Sequence, residues 1–198
     1  VVPTNCGAID ELLDGGLRSG SLLLIYGEAG TGKTTLALQL TVNCATQGHK
    51  ALFVDCDGIL RPSKLEAMAG HDPEILENIT IARPESFREQ GELIDCLDRL
   101  ASSGLALVAI DTMTTLYRLE LSSGAEAFLL NRELNRQVAT LVQVVREHAL
   151  AAVMTSQVRA RLEPEPGEEA VEPVASRVLK FWADIVIRLK PTGQPGVR

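Results

Sequence analysis

The run Gly27-Glu28-Ala29-Gly30-Thr31-Gly32-Lys33-Thr34 carries the most specific chemistry in the sequence. Its glycines let the backbone curl until successive N–H groups point at one anion. Lys33 can then reach the β- and γ-phosphates of a nucleotide, and the Thr34 hydroxyl can ligate Mg²⁺. An apolar run (Ser21–Tyr26) precedes the loop and a helical pattern follows it, with Thr35 completing the candidate contact set. In that strand–loop–helix setting the helix N-terminus adds its positive dipole end to the same anion. The predicted ligand is a nucleoside triphosphate with its magnesium ion.

Hydrolysis needs more than a phosphate loop: a carboxylate to orient the metal and a group to position or activate water. The run Leu105-Ala106-Leu107-Val108-Ala109-Ile110-Asp111 is a buried-type strand ending in an acid. In a parallel sheet, that end lies on the ligand-binding edge. Asp111 is therefore the candidate metal carboxylate beside Thr34; a helix-capping role toward Thr112 and Thr114 competes or coexists with it. At the end of the Lys50–Asp55 strand, Asp55-Cys56-Asp57-Gly58 brings two acids to the same edge. Asp57 is the candidate water-activating group, with an Asx turn before Gly58 as the alternative. Gln157, just past the Leu150–Thr155 strand, is either a γ-phosphate sensor or a surface glutamine.

The elements that must hold these residues alternate in type. Strands are expected at Ser21–Tyr26, Lys50–Asp55, Asn78–Ala82, Leu105–Ile110, Leu150–Thr155 and Asp184–Leu189. Helices are expected at Lys33–Gln47, Pro62–Ala69, Ser86–Ser102 and Ala125–His148. The last has an apolar stripe of Leu130, Leu134, Val138, Leu141, Val142 and Val145, with Arg132, Glu133, Arg136, Gln143 and Glu147 on the other side. This alternation predicts an α/β fold: a mostly parallel central sheet with helices on both faces. The segment from Arg161 to Pro173 breaks the rhythm with Glu163, Glu165, Glu168, Glu169 and Glu172 among its prolines. It predicts a flexible acidic loop, extending over about 159–175 with its flanks.

Composition narrows the function classes. A length of 198 residues with 45% hydrophobic content suits one globular domain. No segment has the length of a membrane span and no signal peptide opens the chain, so a cytoplasmic protein is expected. The four cysteines, Cys6, Cys44, Cys56 and Cys96, show no metal-binding spacing and suit reduced thiols. A net charge of −7 and 4% aromatic residues confine any nucleic-acid binding to a local patch with few stacking platforms.

Several longer blocks resemble the ATPase core of the RecA/RadA recombinase superfamily. Thr4 to Leu17 is similar to the family's approach to its phosphate loop. Phe53-Val54-Asp55-Cys56-Asp57-Gly58-Ile59-Leu60-Arg61-Pro62-Ser63-Lys64-Leu65 resembles its D-T-E-G-x-F-R-P-E-R-L block. Asp111-Thr112-Met113-Thr114-Thr115-Leu116-Tyr117-Arg118 looks like the Walker B exit, and Thr155-Ser156-Gln157-Val158 like the T-N-Q-V that opens the second DNA-binding loop. Leu130 to Gln137 is most similar to the archaeal RadB branch. The resemblance implies a RecA-like P-loop NTPase core. It makes Gly27 to Thr35 the nucleotide cradle, Lys64 the counterpart of an adenine-stacking arginine and Asp57 that of the catalytic glutamate. It also makes Asp111 the Walker B acid, and it sets Arg118, Arg159 and Arg161 near DNA.

Such a resemblance implies an accessory protein of homologous recombination and DNA repair that binds Mg-ATP, hydrolyses it slowly and modulates a RadA-type recombinase on DNA. Slow turnover is expected because Asp57 is one methylene shorter than glutamate, and a misplacement of about 1 Å can cost on the order of a hundredfold. Weak DNA binding, to single strands, is expected because five glutamates oppose Arg159, Arg161, Arg177 and Lys180. The resemblance covers a single ATPase domain over residues 1–198, without an N-terminal DNA-binding domain and short of the family's last strands. A homo-oligomer is left open. Two other readings compete: a nucleotide-switched protein-binding module and a KaiC-like signalling ATPase.

Overall fold

The central strands are apolar at nearly every position because both of their faces are covered. In β1 (Leu22–Gly27), Leu22, Leu24 and Tyr26 enter one apolar cluster while Leu23 and Ile25 enter another. β2 (Lys50–Asp55), β4 (Leu105–Asp111) and β5 (Ala151–Ala160) divide their side chains in the same alternating way. β3 (Ile79–Ala82) and β7 (Ile185–Leu189) form the two ends of the series, and β6 (Val171–Pro173) pairs with the outer part of β5. The computed structural model describes residues 1–160 and 171–191. Among them the seven-stranded sheet runs β3-β2-β4-β5-β1-β7, parallel throughout except for the antiparallel β5–β6 pair.

On one face lies α2 (Lys33–Thr46), with α1 (Gly7–Leu12), α3 (Pro62–Met68) and α4 (Pro73–Glu77) around it. The other face carries α5 (Phe87–Asp95), α6 (Leu97–Ser102), α7 (Thr115–Ser122), α8 (Ala127–Glu147) and α9 (Ser176–Trp182). The whole expected stripe of α8 is buried, and Leu134, Val138, Leu141 and Val145 are fully enclosed. Truncating one such leucine to alanine costs about 2–5 kcal/mol. None of the helices among the described residues is long and apolar enough to cross a membrane.

The α/β architecture matches the sequence expectation, with differences in detail. The expected helix Ser86–Ser102 breaks at Cys96, which closes α5 and opens α6. Ser86, expected as the helix's first residue, is instead its N-cap: its Oγ accepts from the Glu89 N–H at 3.1 Å. The boundaries expected for the acidic loop are too wide. Arg159 and Ala160 belong to β5, and Val171 to Pro173 form β6, with Val158 opposite Pro173 and Arg159 opposite Glu172. The alternating Val171, Pro173 and Val158 let a short strand form, and Val174 buries against the core directly after it. Residues 161–170 lie outside the described set, and Arg161 with them.

Candidate nucleotide-binding site

The phosphate loop leaves the carboxyl end of β1 and turns into α2. Gly30 and Gly32 have φ of 76° and 99°, the left-handed region that glycine enters without strain. Gly27 is required for a different reason: a Cβ there would meet the Leu189 carbonyl oxygen at 2.4 Å. Thr31 Oγ1 donates to the Glu28 carbonyl at 2.8 Å and locks the turn. Lys33 is buried, and its Nζ curls back over the loop to donate to the carbonyls of Gly27 (2.9 Å) and Glu28 (2.7 Å). Burial lowers its pKa, and the charges of Asp111 and Asp57 pull the other way.

β5 lies between β4 and β1, so the acid at the end of β4 faces the loop across one strand. Asp111 is wholly buried. Its Oδ1 accepts a 2.5 Å hydrogen bond from Thr155 Oγ1 on β5, and its Oδ2 has no hydrogen-bond partner among the described residues. Burial raises its pKa. The hydroxyls of Thr155 and Thr34 favour the charged form, the latter without completing a hydrogen bond to Oδ2, while Asp57 and Asp55 oppose it. The peptide bond between Asp111 and Thr112 is cis.

The two acids at the end of β2 have separate surroundings. Asp55 is buried and fully engaged: Oδ1 accepts from the Ile59 N–H (3.3 Å), and Oδ2 from the Leu60 N–H (3.1 Å) and Arg83 Nε (3.1 Å). Arg83 also donates to the Leu60 carbonyl at 2.7 Å, so Asp55 and Arg83 together shape the loop after β2. Asp57 instead keeps a buried Oδ1 without a partner among the described residues. Between them Cys56 is buried, and burial with three neighbouring carboxylates pushes its thiol pKa far up. An inert, protonated thiol results.

Two buried carboxylate oxygens without partners, one each on Asp57 and Asp111, converge electrostatically on Lys33 with Thr34 close by. Oxygens left in this state are costly unless a cation or proton satisfies them. Hard oxygen donors near a phosphate cradle suit Mg²⁺, so these residues fit the ion.

Gln157 pairs with Gly27 in the β1–β5 register, which brings it to the same edge. Its Oε1 accepts from Arg118 Nη1 on α7 at 2.6 Å. Lys64 Nζ donates to Thr35 Oγ1 at 3.1 Å, joining α3 to the first turn of α2. Arg159 donates twice to Glu172 Oε1, at 3.0 and 2.8 Å. Arg118, Arg159 and Glu172 line one cavity of about 820 Å³ with Tyr117, Asn131 and Arg177. Sequence reasoning missed Thr155, Arg83 and the structural duty of Asp55. Thr155 had a signal, a hydroxyl ending an apolar strand; Arg83 had none.

With the geometry in hand, comparison with known proteins is decisive. The family model described as Rad51 matches residues 1–194. The chain belongs to the Rad51 family. Within that family it is similar to the DNA repair and recombination protein RadB of Methanobrevibacter smithii, 33% identical over 193 residues that cover 96% of this chain and 80% of the relative. RadB of Methanococcoides burtonii is 31% identical over 191 residues, covering 96% and 83%. A crystal structure of the RadB recombinase superposes with a TM-score of 0.79 at 30% identity, covering 99% of this chain and 86% of that one. The chain is thus a RadB-like member of the RecA/RadA superfamily with the RecA-like fold.

Proposed function

We propose that this Rad51-family protein binds Mg-ATP at the loop Gly27–Thr34, hydrolyses it slowly, and acts as a RadB-like accessory factor in recombination and repair. The observation that carries the reading is the pair of unpartnered buried oxygens, Asp111 Oδ2 and Asp57 Oδ1, beside Lys33. The amides of Gly30 to Thr34 bind the phosphates, and Lys33 exchanges its two carbonyl partners for phosphate oxygens. Thr34 and Asp111 would hold Mg²⁺, whose charge favours phosphate binding and leaving-group departure. Thr155 fixes the rotamer of Asp111 and keeps one oxygen facing inward. Asp57 orients a water or takes its proton, from a shorter arm than glutamate would give. Lys64 borders the base side of the cradle, and Gln157 passes the state of the γ-phosphate to Arg118.

The partners that fit this reading are a RadA-type recombinase and, weakly, single-stranded DNA along the Arg118–Arg159 cavity. Glu172 occupies Arg159 and so lowers the charge available to a phosphate backbone. That contact also favours a second reading, a nucleotide-switched protein-binding module in which turnover is incidental. Membership of the Rad51 family favours both over a KaiC-like signalling ATPase. The test is binding of a fluorescent ATP analogue, followed by co-elution with a RadA-type recombinase in ATP, in ADP and without nucleotide. Lys33→Ala should abolish nucleotide binding. Recombinase binding identical in all three states would refute a nucleotide-controlled role. Partner binding lost in Lys33→Ala but kept in Asp57→Ala would favour the module.

A further inference from the structure

Two fully buried glutamines, Gln90 on α5 and Gln137 on α8, cross the apolar layer between those helices and reach the tips of β2 and β4. The direction of the chain of hydrogen bonds is fixed at its outer end. Gln137 Nε2 donates to the Phe87 carbonyl and to Glu133 Oε1, both at 3.1 Å, so its Oε1 must face Gln90. Gln90 Nε2 donates to that oxygen at 2.9 Å and approaches the Met113 carbonyl at 3.4 Å. Gln90 Oε1 is left to accept from the Cys56 thiol at 3.4 Å. Cys56 adjoins Asp57, and Met113 follows Asp111 by two residues. One amide therefore touches both segments that carry a carboxylate with an unpartnered oxygen.

The sequence makes room for this contact. Gly91 lies inside α5, where glycine costs about 1 kcal/mol relative to alanine. A Cβ there would sit 2.9 Å from Gln137 Nε2 and 3.2 Å from Glu133 Oε1. An apolar pair of the same shape would fill the layer at little or no loss of stability. What an apolar pair lacks is direction, because only the amides hold two strand tips at a set spacing.

We infer that Gln90 is a positioning residue that holds Asp57 and Asp111 in register for the metal-nucleotide, acting through Cys56 and Met113 and touching no ligand itself. This rests on the nucleotide reading proposed above. The test is a Mg²⁺ titration of mant-ATP fluorescence for the wild type, Gln90→Met, Cys56→Ala and Cys56→Ser, with affinity in EDTA measured alongside. Gln90→Met and Cys56→Ala should raise the Mg²⁺ midpoint by about tenfold, the scale of losing a group that supports a metal ligand. Affinity in EDTA should stay unchanged. Cys56→Ser, whose hydroxyl can donate to Gln90 Oε1, should return the midpoint toward the wild-type value. Wild-type midpoints in both Gln90→Met and Cys56→Ala, or a Cys56→Ser variant as impaired as Cys56→Ala, would overturn the inference. If Gln90→Met fails to fold, the two Cys56 variants decide alone. A wild type that binds no mant-ATP overturns the nucleotide reading, a result distinct from equality among the variants.

Discussion

Asp55 and Asp57 leave the same strand tip two residues apart, yet the protein engages both oxygens of Asp55 and leaves Asp57 Oδ1 buried without a partner. The first is built into the loop and the second is held in reserve. Asp55→Asn loses the charge facing Arg83 and turns an amide donor toward backbone N–H groups. It should destabilise the fold by about 2 kcal/mol, the scale of hydrogen bonds to a charged group. Asp57→Asn removes the charge of a carboxylate that has a buried, unpartnered oxygen and should not destabilise the fold. Urea unfolding of the two variants reads the contrast directly.

Turnover should depend on the length of the side chain at residue 57. Asp57→Glu is expected to raise kcat by roughly ten- to a hundredfold if the shorter carboxylate misplaces its water by about 1 Å. Steady-state phosphate release at saturating Mg-ATP checks this, and an unchanged or lower rate would contradict it.

Asp111 should trade stability for binding. Burial raises its pKa, so its neutral form suits the fold and its ionised form does not. Stability from this group is fully present below the ordinary value of 3.8 and is lost as pH rises through the folded-state value. Asp111→Asn stays neutral and keeps an acceptor for Thr155. In EDTA near pH 8 it should therefore be more stable than the wild type by on the order of 1 kcal/mol, with a flatter stability–pH curve. The same variant should lose Mg²⁺-dependent nucleotide affinity. Thermal melts across pH 4–8, with and without Mg-ATP, test both halves.

Glu172→Gln should free Arg159 and remove a negative charge from the cavity wall. Affinity for a short single-stranded oligonucleotide should rise severalfold at low salt. The slope of log K against log salt should steepen by about 0.7, the value of one added phosphate contact. Fluorescence anisotropy at several salt concentrations would detect either change, and unaltered slopes would count against a DNA role for Arg159.

How much of the molecule is legible in the sequence depends on how local each signal is. β1, β2, β4 and the Gly27–Thr34 loop announce themselves because apolar runs and glycine spacing act over a few residues. The end of β4 at Asp111 is legible for the same reason. β6 is not: three residues inside a glutamate- and proline-rich stretch pair only because β5 runs on past Thr155. Asp57 is singled out by its place before Gly58, but the structural duty of Asp55 is not legible, because Arg83, 28 positions away, is what engages it. Gln90 and Gln137 were invisible, since polar residues in an amphipathic helix read as solvent-facing. Their one trace in the sequence is Gly91, a residue that a lone surface helix would not favour.

β5 has one more consequence. Its pairing with β4 ends at Met154 and its pairing with β1 ends at Gln157, while Val158 to Ala160 bond sideways only to β6 among the described residues. The strand is thus a cantilever: clamped along most of its length, then projecting, with Gln157 at the fulcrum. A beam supported in this way converts a slight rotation at its root into a wider sweep at its tip. The Arg159–Glu172 pair rides on that tip, so a tilt of the strand at Gln157 would displace the cavity wall to which both residues belong.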